Sequence, residues 1–214
     1  DTNYRIDEQV VKIIGRAKSI LEQERGLVVK DRIFLNGYSS SGVFAQRFAL
    51  LHPDIVETAC IGGASGSIPI PTEKLAYPLG IADYESLTGK RFDLESYSKI
   101  KFRYYVGELE TQNKSDSRFD DFGQPAPMHD MSYFDRSVPT EVGKHQRTAL
   151  GTEMFFRAEN TIKILQNLGI DIQHKIILGR NHNNKNGIGV NELGDRFIIE
   201  TYRNSIKNEN KISL

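Results

Sequence analysis

Residues 31–42 read Asp31-Arg32-Ile33-Phe34-Leu35-Asn36-Gly37-Tyr38-Ser39-Ser40-Ser41-Gly42. The apolar run centred on Ile33, Phe34 and Leu35 predicts a short buried strand over 28–36. Gly37 to Gly42 reads as a turn. Val43 to His52 reads as a helix with Phe44, Phe48 and Leu51 on one side, stopped by Pro53. Strand, sharp turn and helix in direct succession are the unit from which parallel sheets are built. A serine at the apex of such a turn stands at the carboxyl end of its strand.

The same alternation continues on both sides. Upstream, Val10, Ile13, Ile14, Ala17 and Leu21 recur at helical spacing and predict a helix over 7–24, ended by Gly26. Downstream, 56–61, 101–106 and 172–178 read as further strands. A long helix is expected over 148–168 and a final amphipathic helix over 190–206. Two stretches lack periodicity and read as insertions, 65–99 with Pro69, Pro71 and Pro78, and 112–147 with Pro125, Pro127 and Pro139. The expectation is a single α/β domain, a three-layer α/β/α sandwich around a mainly parallel sheet. Ligands of such sheets bind beyond the carboxyl ends of the strands.

Composition narrows the function classes. The 214 residues carry 28 Lys plus Arg and 28 Asp plus Glu, so there is no overall basic field to gather nucleic acid. No apolar run approaches the ~18–20 residues that span a bilayer. Cys60 is the only cysteine, which rules out an intrachain disulfide or a cysteine zinc cluster and leans towards a reducing compartment. The chain starts at Asp1 and not at Met, which is compatible with a removed N-terminal part.

Sterics choose among the three serines. In a tight strand–turn–helix elbow, the residues two before and two after a nucleophile must be small. Ser39 has Gly37 and Ser41 there, whereas Ser40 has Tyr38 and Ser41 has Val43. Ser39 is the candidate nucleophile, and the Ser40 backbone N–H, at a helix N-terminus, a candidate oxyanion donor. The competing reading is an ordinary helix N-cap, for which Ser-Ser-Ser-Gly is also a normal sequence.

Two further loops supply partners. After the third strand stand Gly107-Glu108-Leu109-Glu110, and a carboxylate there would orient a histidine and stabilise its imidazolium. Glu110, three past the glycine, is favoured over Glu108, and both also read as solvated loop carboxylates. After the fourth strand, Gly179-Arg180-Asn181-His182 places His182 where it swings back over the sheet as a base, or stands as a plain loop histidine. His52, His129, His145 and His174 fit less well, although a place for His129 at a pocket rim is conceivable. The order Ser39, Glu110, His182, each after its own strand, makes the combination far more specific than its parts. Tyr38, Tyr77, Tyr84 and Phe92 are candidate pocket-lining groups and equally plain core residues.

On these residues the chain resembles the α/β-hydrolase superfamily, and within it bacterial serine esterases related to the polyester depolymerase and feruloyl esterase-like groups. The residues that carry the resemblance are 31–42, Leu51-His52-Pro53, the run Tyr77-Pro78-Leu79-Gly80-Ile81-Ala82-Asp83 and the acid loop 107–113. The resemblance is weak through 112–147, and it implies ester hydrolysis through an acyl-enzyme, without metal or organic cofactor, on a small-molecule ester. Glu110 stands where such proteins usually carry Asp, and Ser41 replaces the second glycine of G-x-S-x-G. In the family several strands precede the helix that feeds the nucleophile strand, and one of their loops gives a second oxyanion N–H. Their absence here predicts an open apolar edge along 32–36 that pairs with missing sequence or with another copy. A non-catalytic binding or assembly protein on the same scaffold is the competing function. An acyl transferase or peptidase is a third, since fold alone does not separate them.

Overall fold

The computed structural model describes residues 5–108, 148–151, 154–179 and 196–203, together with 141 and 145. Among the described residues four strands, β1 (Ile33–Tyr38), β2 (Val56–Gly62), β3 (Lys101–Gly107) and β4 (Ile172–Ile177), form one sheet in the order β1-β2-β3-β4. Every neighbouring pair is parallel. Helices α1 (Ile6–Arg25), α2 (Ser40–Leu51), α3 (Tyr84–Thr88), α4 (Leu94–Ser98) and α5 (Met154–Asn167) complete a mixed α/β fold. Strands β1 and β4 are its edges, and no described strand pairs with the outer side of β1.

The core explains the order. In β2, Val56, Ala59, Cys60 and Ile61 are fully buried, as expected of a central parallel strand covered on both faces. Phe48 and Leu50 of α2, Phe102 and Tyr104 of β3, Ile162 and Leu165 of α5 and Ile172 of β4 join Val56, Ala59 and Ile61 in one cluster. Val10, Val11 and Ile14 of α1 pack against it. At residues 196–203, which are helical, Phe197 meets Tyr105 edge-on at 6.4 Å and Tyr202 meets Phe34 edge-on at 5.8 Å.

Three elements depart from the pattern read in the sequence. The first strand begins at Ile33, not at residue 28, because α1 ends in a glycine cap. Gly26 sits at φ 63°, its N–H donates to the Glu22 carbonyl and the Leu27 N–H to the Leu21 carbonyl. Val28, just past the cap, is fully exposed. The long helix expected from 148 is interrupted at Gly151, whose φ of 114° is open to glycine alone, and whose carbonyl accepts from Arg157 Nη1 at 3.0 Å. The aperiodic 65–99 stretch contains a 3-10 turn, Ser65–Ser67, as well as α3 and α4. Its Ile68, Ile70, Leu75 and Leu79 are buried, so it is part of the body and not a loose loop. Aromatic contacts run from it into the sheet, Tyr84 to Phe92 at 5.1 Å, Phe92 to Tyr97 at 5.4 Å, and Tyr97 to Phe102 at 5.3 Å. Each adds about 0.5–1.5 kcal/mol beyond area burial.

Two charged clusters fix element ends. Arg5 donates to both Asp7 carboxylate oxygens (3.0 and 2.8 Å), and His52 Nε2 lies 2.8 Å from Asp7 Oδ2, joining the start of α1 to the end of α2. Arg103 grips Asp171 with two bonds, 2.8 and 3.0 Å, where β4 begins.

Candidate functional site

The carboxyl ends of the strands lie side by side, so the residues that follow them converge on one rim of the sheet. Ser39 is the single residue between β1 and α2. The turn is thus tighter than the six residues expected from sequence. Its backbone stands at φ 55°, ψ −122°, a conformation that L-residues rarely adopt. Among the described non-glycine residues only Arg5 shares a positive φ. Holding a side chain there costs about 1–3 kcal/mol.

The surroundings impose this geometry. The Ser39 N–H donates to the Gly62 carbonyl at 2.8 Å, fastening the apex to the end of β2. The Ser39 carbonyl accepts from the Val43 N–H at 2.9 Å, the first bond of α2. A Cβ on Gly37 would lie 2.3 Å from the Ser41 carbonyl oxygen, so the position two before Ser39 admits only glycine, as the steric reading requires. On the other side the close approach falls on Gly42, whose added Cβ would come 2.9 Å from the Gly62 oxygen. Ser41 has a different part. Its hydroxyl accepts from the Tyr38 N–H (2.9 Å) and donates to the Tyr38 carbonyl (2.8 Å), closing the turn in place of a second glycine.

Ser39 stands at the N-cap position of α2, but not in the ordinary capping geometry. A normal N-cap has extended backbone and a side-chain oxygen bonded to the helix. Ser39 has neither, since its φ is positive and it makes no side-chain capping bond. The first N–H groups of α2 instead point out of the helix at its positive end, where negative charge is favoured.

Glu110 and His182 lie outside the described residues, as does His129. Glu108 is described, and its Oε2 accepts the Gly179 N–H at 2.8 Å across the ends of β3 and β4. Tyr38, directly before Ser39, is half-buried and stacks on Tyr105 at 6.1 Å. Tyr77 and Ser40 both line a cleft of about 230 Å³ along α2, with Val43, Phe44, Arg47 and Arg5. Tyr84 is buried, and its hydroxyl donates to the Leu51 carbonyl at 2.9 Å, as a core residue would.

Other reactive groups are ill-placed for chemistry. Burial pushes the Cys60 thiol up to about 12, against the pull of Arg103, so it stays protonated. His174 sits within β4 with its Nε2 3.4 Å from Ser65 Oγ, and burial lowers its basicity. Among the described residues, no group of three or more His, Cys, Asp or Glu is placed to hold a metal ion, and no helix is long and apolar enough to cross a membrane.

Sequence reasoning missed the Glu108–Gly179 bond and the turn-closing part of Ser41. For Ser41 the signal was the missing second glycine. For Glu108 no local signal exists, because its partner lies 71 positions away. Comparison with protein-family models, with curated proteins and with solved structures finds no match.

Proposed function

We propose that this chain is a serine hydrolase of the α/β-hydrolase type, a three-layer α/β/α sandwich that cleaves carboxylic esters through an acyl-enzyme. The observation that carries the reading is the backbone of Ser39, held at φ 55° between a parallel strand and a helix N-terminus. Strain of this kind persists only where surrounding structure enforces it, and it clusters at active sites. Here it falls on a serine at the carboxyl rim of the sheet, the setting expected of an activated serine.

In this mechanism Ser39 Oγ attacks the ester carbonyl carbon while His182 takes its proton. Glu110 holds the His182 ring in the required tautomer. The Ser40 N–H, at the start of α2, donates to the developing oxyanion, and a second donor comes from another segment. The alkoxide leaves with the proton from His182. Water, activated by the same histidine, then releases the acid and restores Ser39. The ordering of serine, acid and base along the chain supports these assignments.

The test is covalent labelling with a fluorophosphonate probe and peptide mapping. Labelling at Ser39 that disappears in Ser39→Ala supports the reading. A folded chain that takes up no probe, or takes it up equally after the substitution, overturns it.

A further inference from the structure

The ladder between β1 and β2 shows which way each residue of β1 turns its main chain. The Ile33 N–H donates to the Ile55 carbonyl and the Ser39 N–H to the Gly62 carbonyl, both towards β2. Main-chain groups of alternate residues in a strand point to opposite sides. Tyr38 therefore presents its N–H and C=O to the outer side of β1, where no described strand lies. One hydroxyl takes the place of that neighbour. Ser41 Oγ accepts the Tyr38 N–H at 2.9 Å and donates to the Tyr38 carbonyl at 2.8 Å.

We infer that Ser41 is a positioning residue for the proposed reaction, its hydroxyl tying the strand side of the turn to the helix side so that Ser39 keeps its positive φ. The inference rests on the serine hydrolase reading. The N–H of Ser39 ties it to β2, and its carbonyl, accepting the Val43 N–H, ties it to α2. Neither bond holds Tyr38 from the outside. A residue at φ 55° gains free energy by relaxing, and the outer edge of the turn is where it has room to do so. Both Ser41 bonds are exposed, so water can satisfy the same two groups of Tyr38. Water does not join residue 38 to residue 41, and that link is what the hydroxyl supplies. The geometry also divides the work between two serines. A hydroxyl has one proton to donate. Ser41 gives its proton to the Tyr38 carbonyl and not to a base, which leaves the attack to Ser39.

Ser41→Ala, Ser41→Gly and Ser41→Thr test this. The readouts are the rate of fluorophosphonate labelling at Ser39 and the hydrogen exchange of the Tyr38 amide, each taken below the variant's urea transition so that unfolding does not enter. Alanine and glycine are as small as the turn requires, and glycine restores G-x-S-x-G. Both should nevertheless label roughly 10- to 100-fold more slowly, the penalty of a misplaced reacting group, and exchange faster at Tyr38. Threonine keeps the hydroxyl and should recover most of both. Alanine and glycine variants that label as fast as the unsubstituted chain would mean that position 41 supplies smallness alone, and the inference falls. It is overturned as well by unchanged exchange at Tyr38, by a threonine variant as slow as the alanine one, or by a probe mapped to Ser41. No labelling of the unsubstituted chain overturns the serine hydrolase reading and this assignment with it, whereas labelling at Ser39 that is indifferent to residue 41 overturns this assignment alone.

Discussion

The amide of Ser39 donates to the carbonyl of Gly62 across 2.8 Å, joining the apex of one strand–helix turn to the end of the neighbouring strand. The bond carries the β1–β2 ladder one residue past Tyr38. It holds Ser39 in its positive-φ state from one side while α2 holds it from the other.

The tightest point of this arrangement is Gly37. A methyl group there would lie 2.3 Å from the Ser41 oxygen and 2.6 Å from the Ser41 carbonyl carbon, both backbone atoms that cannot move without opening the turn. Gly37→Ala should therefore cost about 1–3 kcal/mol, or more, in a urea titration. It should also abolish Ser39 labelling under conditions where the variant is still folded. A stable, fully labelled variant would show that the elbow tolerates what its geometry forbids.

Ser39→Gly should stabilise the fold. Glycine adopts φ 55° without a Cβ penalty, which removes about 1–3 kcal/mol of strain. Greater freedom in the unfolded chain offsets about 0.4–1 kcal/mol. The expected net gain is about 1 kcal/mol over Ser39→Ala, which keeps the Cβ and the strain. Paired denaturation midpoints check it. Equal stabilities would mean that the backbone is not strained at this position.

Asp7 links folding to acid. Burial alone would raise its pKa, but the hydrogen bonds from Arg5 and His52 and their charges prevail and hold it at about 2, below the ordinary 3.8. A group depressed in the folded state stabilises above its unfolded pKa and loses that contribution as pH falls through the folded value. The contribution, about 2 kcal/mol, should be complete above pH ~4 and vanish towards pH ~2. Asp7→Asn should flatten stability across that window, measured by thermal melts at stepped pH. An unchanged acid limb would place the titration elsewhere.

The alternation of strands and helices was legible because each element carries its own pattern. Ile33-Phe34-Leu35 and the apolar core of β2 read as buried strands, and Val10, Ile13, Ile14, Ala17 and Leu21 as the stripe of a helix, of which Ile13, Ala17 and Leu21 stay exposed. Where this reasoning slipped, the cause was local ambiguity. Val28 and Val29 suit a strand by propensity, yet they follow the Gly26 cap outside any strand, and Val28 is fully exposed. The 65–99 stretch looked like a loop because its apolar residues follow no single period, although Ile68, Ile70, Leu75 and Leu79 are buried.

By itself, then, the sequence determined a parallel α/β body and a glycine-flanked serine at one strand end, because periodicity and the volume of near neighbours are properties of adjacent residues. Only the tertiary structure decided that Ser39 is held at a positive φ, that Ser41 closes the turn, that Asp7 joins His52, and that Glu108 accepts the Gly179 N–H. Each of these depends on which strand lies beside which and in what register. That register is set by the burial of the whole core, not by any residue's own neighbours in the chain.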